Sequence, residues 1–198
     1  MKTTRHLLLV WFVIPAAWAG SIVTTKHNLS VNGTGTIKAV TESQICIFCH
    51  TPHNSNREAP LWNRSSSGQT YVPYTSTTAK ANPGQPTGDS KLCLSCHDGT
   101  VALGMVLSRP AGIQMQGGVT SLPAGATRLG TDLADDHPIS FTYDAALATA
   151  NGQLHSPATL TGAVRLDGNG QLQCTTCHDS HDNQFGKFLA VNNTASAL

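Results

Sequence analysis

The chain has 198 residues, of which only 12% are charged, and a formal net charge of +1. Its twelve Lys and Arg residues are scattered, so neither a nucleic-acid footprint nor an anionic-lipid surface is indicated. Beyond the first residues, no apolar run approaches the roughly 20 positions a membrane-spanning helix needs.

In chain order, the opening "MKTTRHLLLVWFVIPAAWAG" joins basic Lys2 and Arg5 to an apolar stretch and an A-x-A-like site at Ala17, Trp18 and Ala19. This is the pattern of a secretory leader over residues 1–19, with residues 20–198 as one exported domain in the periplasm or at the cell surface. Loss of Lys2 and Arg5 leaves ten basic against eleven acidic residues. "LSVNGTGTIKAV" (29–40) reads as a hairpin, and a short helix is expected around 42–50. Residues 54–90 are dense in turn formers and hydroxyl side chains, which prevents any long helix or strand. Short helices are expected again at 91–97 and 174–178, with a second hairpin in "AVRLDGNGQLQ" (163–173). The expected fold class is mostly irregular coil with short helices and a few short hairpins. Loops this long need a core supplied by something other than secondary structure.

The cysteines say what that could be. All six fall in three CxxCH units: Cys46, Cys49 and His50; Cys93, Cys96 and His97; Cys174, Cys177 and His178. CxxCH is the covalent attachment signature of haem c. Both thiols become thioethers on one porphyrin edge, and the following imidazole projects over the ring face toward the iron. Zinc sites and disulfides also use paired cysteines. Zinc does not require His directly after the second Cys in every copy, and a disulfide framework would not space all its cysteines in CxxC pairs. Three covalent haem c groups are therefore expected, stacked into a multihaem cytochrome c domain with His50, His97 and His178 as proximal iron ligands. Export agrees, because haem is attached to CxxCH outside the bacterial cytoplasm.

Candidates for the distal iron positions follow from the remaining histidines. His53 and His181 stand three residues after His50 and His178. On a helix that spacing puts both rings on the same side, so neither can clamp its neighbour's iron from the opposite face. Each serves another haem or none, and service to another requires closely packed haems. His137 in "DDHPISF" is stiffened by Pro138, and Asp135 or Asp136 could accept its second ring proton. His27 in "TKHNLS" lies near the mature terminus, and His155 reads as a surface residue. Met105 and Met115 read as apolar filler against a porphyrin rather than ligands.

The ordered landmarks "KHNLS", "CIFCHTPHN", "PLWNR", "CLSCHDGTVAL", "DDHPISF" and "CTTCHDSH" resemble small extracellular multihaem cytochromes of metal-reducing bacteria, in particular the OmcE-like group that polymerises into nanowires. The resemblance implies bis-histidine haems in a continuous stack. It also implies a role for His53 on a haem of the next subunit, with His27, His137 and His181 as ligands within the subunit. In that group a stretch similar to "GKFLAVNNTASAL" runs into a fourth CxxCH, whereas this sequence stops at Leu198. The expectation is accordingly a truncated chain or a three-haem relative, and electron carriage stands ahead of polymerisation.

The expected function is electron transfer to other redox proteins or extracellular acceptors, with a homopolymer as a further partner and no enzymatic role. The alternative is a multihaem reductase of nitrite or hydroxylamine type. That needs one open iron, and the supply of distal histidines and the lack of a CxxCK variant argue against it.

Overall fold

The computed structural model describes residues 21–57 and 59–194; the leader expected at 1–19 lies outside them. Most of the described chain is coil and turn. Three α-helices are present, α1 (Gly88–His97), α2 (Ala145–Asn151) and α3 (Cys174–Cys177), with 3₁₀ turns at Ile22–Thr24, Cys46–Phe48, Gln116–Gly118 and Pro157–Thr159. A single antiparallel pair joins β1 (Phe141–Thr142) to β2 (Gln171–Leu172). Among the described residues no helix is long and apolar enough to cross a membrane.

Apolar side chains gather in two small clusters. Ala39, Ile47, Phe48, Leu103 and Met115 form the first, and Tyr71, Leu94, Leu133 and Ile139 the second. Met115 is packed in a protein core, whereas Met105 is 49% exposed. Polar hubs complete what these clusters leave open. Gln173 is fully buried and ties α1 to α3: its side-chain oxygen accepts from Ser90 at 2.6 Å and Ser140 at 2.9 Å, and its amide donates to Asp167 at 2.9 Å. Such a hub is stabilising only because its hydrogen-bonding capacity is taken up.

Neither expected hairpin forms. Residues 29–40 form no strand: the segment closes through Ala39 N–H on the Leu29 carbonyl at 2.8 Å and Val31 N–H on that of Glu42 at 2.7 Å, while residues 38–40 also bond to 114–116, Val40 N–H donating to Gln114 at 2.9 Å and Gln116 N–H to Lys38 at 2.8 Å. In the second case the "DGNG" turn is present, with Asp167 N–H on the Gln171 carbonyl at 3.0 Å. Strand β2, however, pairs with β1 rather than with residues 164–166. A turn signal fixes where the chain reverses, not which segment supplies the neighbouring strand.

The helices at the CxxCH units are also shorter than expected at two places. Unit one is a single 3₁₀ turn, and unit three has only four helical residues before His178 becomes extended at φ −121°, ψ 133°. His50 and His178 instead form isolated antiparallel bridges with Trp62 and Leu189. His53 therefore does not lie on a helix with His50, and Thr51 Oγ1 holds the turn by donating to the His53 carbonyl at 2.7 Å.

Candidate functional site

Each CxxCH histidine faces one histidine from outside the units. His50 lies opposite His181 with ring centres 6.2 Å apart and planes at 15°. His178 lies opposite His137 at 6.2 Å and 17°. His97 lies opposite His27 at 6.1 Å, with planes turned to 72°. Trans imidazoles on one metal, with nitrogen–metal bonds of about 2.0 Å and roughly 1.1 Å from nitrogen to ring centre, have ring centres about 6.2 Å apart. All three pairs match that spacing. Among the described residues no three His, Cys, Asp or Glu side chains converge.

The ring protons are also arranged for ligation. The Nδ1–H groups of His97, His178 and His27 donate to the backbone carbonyls of Thr127 (2.6 Å), Lys187 (2.9 Å) and Ser180 (2.9 Å). A carbonyl only accepts, so Nδ1 carries the proton and Nε2 keeps its lone pair. His50 bonds the Leu61 backbone, and Trp62 stands edge-on to its ring at 84°. Burial is the main force lowering the pKa of His27, His50 and His178, which favours the neutral imidazole that binds metal.

No two of the six cysteines are joined in a disulfide. On α1, Cys93, Cys96 and His97 stand at i, i+3 and i+4, and helix geometry alone sets them on one face. Burial pushes the Cys49 thiol up to about 12, with the nearby Cys96 adding to it. A hydrogen bond from Cys93 brings Cys174 down to about 7. These contacts put unit two in the middle: its Cys96 neighbours Cys49 of unit one, and its Cys93 neighbours Cys174 of unit three. The histidines repeat the order, since His27 of the central pair senses His181 of the first, and His178 of the third senses His97 of the central pair.

Residues 179–190 touch all three pairs. His181 itself faces His50, the Ser180 carbonyl holds His27, and the Lys187 carbonyl holds His178. The Phe188 ring stacks on His27 at 4.1 Å and 20°. Nothing in the sequence singled out Ser180, Lys187, Phe188 or Thr127, because their roles come from backbone carbonyls or from a contact between distant segments. Arg64 was visible only as part of "PLWNR". It is completely buried and donates to the carbonyls of Ser95 (2.8 Å), Leu103 (2.9 Å), Ala102 (3.2 Å), Met105 (3.3 Å) and Val101 (3.4 Å) and to Ser95 Oγ (3.2 Å). Asn63 N–H beside it donates to the Cys49 carbonyl at 2.8 Å. Arg64 thereby locks unit one to unit two.

Of the remaining candidates, His53 is exposed on its turn, and no ring of another described histidine stacks against it. His155 is exposed as expected, its carbonyl accepting from the Tyr143 hydroxyl at 2.8 Å. Asp136 interacts with His137 through charge rather than as a ring-proton acceptor. The facing donors are compatible with three haem c groups, which would be held by Cys46, Cys49, His50 and His181; by Cys93, Cys96, His97 and His27; and by Cys174, Cys177, His178 and His137. No protein-family model matches the chain, and no curated protein matches it.

Proposed function

We propose that this chain is a three-haem c-type cytochrome that carries electrons after export. The observation that carries the reading is the pairing of every CxxCH histidine with an imidazole from elsewhere in the chain at 6.1 to 6.2 Å. Haem c bound there would supply one-electron exchange between ferric and ferrous iron. The protein's residues do the rest. Cysteine pairs hold each macrocycle, backbone carbonyls orient the imidazoles, and the second histidine occupies the position a substrate would need. Electron carriage is therefore favoured over the reductase alternative.

The contacts between neighbouring units support closely spaced centres in the order one, two, three. The partners proposed are other redox proteins and extracellular acceptors; because each CxxCH histidine already faces a histidine of the same chain, no centre on a second copy is left for exposed His53, and a homopolymer would need another contact. Intact mass of the exported protein should exceed the chain from Gly20 by three haems, and near-infrared magnetic circular dichroism should show bis-histidine ligation throughout. A zinc adduct, haem lost to acid acetone, or a full equivalent of His/Met or high-spin iron contradicts the reading. His53→Ala should retain three haems with bis-histidine ligation unchanged; a full equivalent of high-spin iron in that variant would mean that His53, rather than one of the three facing histidines, is a ligand.

A further inference from the structure

The central pair differs from the other two in one respect that the structure explains. The planes of His50 and His181 and of His178 and His137 are nearly parallel, at 15° and 17°. Those of His97 and His27 are turned to 72°. Two fixtures on His27 define its ring orientation. Its Nδ1 is bonded to the Ser180 carbonyl at 2.9 Å, which sets the ring's direction in its own plane. Phe188 lies flat on its face at 4.1 Å and 20°, which sets the tilt of that plane. His97 is held independently by α1 and by the Thr127 carbonyl at 2.6 Å.

Phe188 is placed there at a conformational cost. Lys187 and Phe188 both have positive φ, 49° and 57°, a region that side chains other than Gly, Asn and Asp seldom occupy. Two such residues in succession persist only where surrounding bonds over-determine them. Here the Lys187 carbonyl accepts from His178 Nδ1, Phe188 N–H donates to Asn183 Oδ1 at 2.8 Å, and the Phe188 carbonyl accepts from Asp179 N–H at 2.8 Å.

We infer that Phe188 is a positioning residue that holds His27 crosswise to His97 and makes the central haem site electronically different from the two outer ones. The inference rests on the haem reading above. Axial imidazoles donate into iron d orbitals perpendicular to their planes. Parallel planes act on the same orbital and split the pair, whereas crossed planes act on both and leave them nearly degenerate. The ferric spectrum separates the two cases, as a rhombic low-spin signal or a single feature at large g. A stacked phenyl ring suits the task because it fixes a ligand's tilt without competing for its nitrogen.

Electron paramagnetic resonance of the fully oxidised protein tests this. The wild type should give rhombic low-spin iron for two thirds of the spins and the large-g form for one third. In Phe188→Leu the large-g third should move toward the rhombic form, and in Phe188→Tyr it should remain. Three attached haems with no large-g signal in the wild type, or a Phe188→Leu spectrum identical to wild type, overturns the inference while leaving the haem reading intact. Absence of attached haem from the wild type overturns the haem reading itself. If Phe188→Leu does not accumulate, Phe188→Met takes its place, and the wild-type spectrum still decides whether a crossed pair exists.

Discussion

Unit two and unit three solve the same local problem by opposite means. Unit two sits on a ten-residue helix, with Ser95 bonded to buried Arg64 and with Leu94 at 0% exposure in an apolar cluster. Unit three has one short turn, after which His178 leaves the helix and is held by a β-bridge to Leu189 and by the Lys187 carbonyl on its ring. Its own residues are buried or half-buried apart from Thr175, whereas the loop that follows is half exposed and includes two residues at positive φ. The comparison teaches that a CxxCH unit needs little regular structure of its own. The helical unit is braced by its helix and by Arg64, whereas unit three is braced by side chains at its start, with Cys174 N–H on Ser90 Oγ at 3.0 Å, and by backbone carbonyls of the following loop at its histidine, and that loop also reaches across to the other two sites.

The largest expected effect that could break this comparison is on the loop side. His181→Ala should leave three covalent haems but open the position facing His50, turning one third of the iron high-spin or water-ligated, as read by optical and magnetic circular dichroism spectra. An unchanged spectrum would mean that His181 is not a ligand. On the braced side, Arg64→Met removes the donors to five backbone carbonyls at once, and leaving buried acceptors unsatisfied costs about 1 to 3 kcal/mol each before relaxation. A loss of about 3 kcal/mol or more in denaturant unfolding is expected. Arg109→Met, at an exposed arginine 3.9 Å from Glu42, should change stability by less than about 1 kcal/mol.

Tyr71 sharpens the same contrast through pH. Its hydroxyl donates to Asp98 at 2.6 Å, and burial followed by that bond raises its pKa from 10.0 to about 12. The fold therefore favours the protonated phenol. Its contribution to stability is complete below pH 10 and is lost as pH rises through about 12. Tyr71→Phe should remove that part of the alkaline dependence in pH-resolved unfolding curves, and an unaltered slope would show that another group is responsible. The smallest effect is expected at Lys187→Gly. Glycine relieves the left-handed backbone but adds entropy to the unfolded chain, so the net change should be a gain of about 0 to 1 kcal/mol. The carbonyl on His178 stays, so calorimetry should shift slightly and the ferric spectrum not at all.

Much of the site was legible because it is local. Unit two's Cys and His positions are neighbours on a helix by arithmetic alone. His181 was legible as a group unable to face His178, and it does face a different histidine, His50. The reason given was helical geometry, yet His178 is extended and the chain between them is a turn. The conclusion survives because a three-residue link is too short to bring a ring around to the opposite side. The fate of the hairpins was not legible, since residues 38–40 bond both to Leu29 and to 114–116, and β2 pairs with β1 from a distant segment. Arg64 was hidden for a related reason. An arginine is usually exposed, and its burial depends on five carbonyls converging from residues 95–105.

The sequence by itself determined the spacing within the CxxCH units, their number and the scarcity of regular structure. These depend on spacings of a few residues and on turn-forming composition, which act before the chain folds. Only the tertiary structure decided which histidine stands opposite which, that unit two lies in the middle, and that one pair is crossed while two are parallel. Those outcomes join residues from opposite ends of the chain, His27 with His97 and Phe188, His50 with His181. Closing such long loops is set by the packing of the whole domain and by carbonyls that every residue possesses, so the sequence carries no local mark of them.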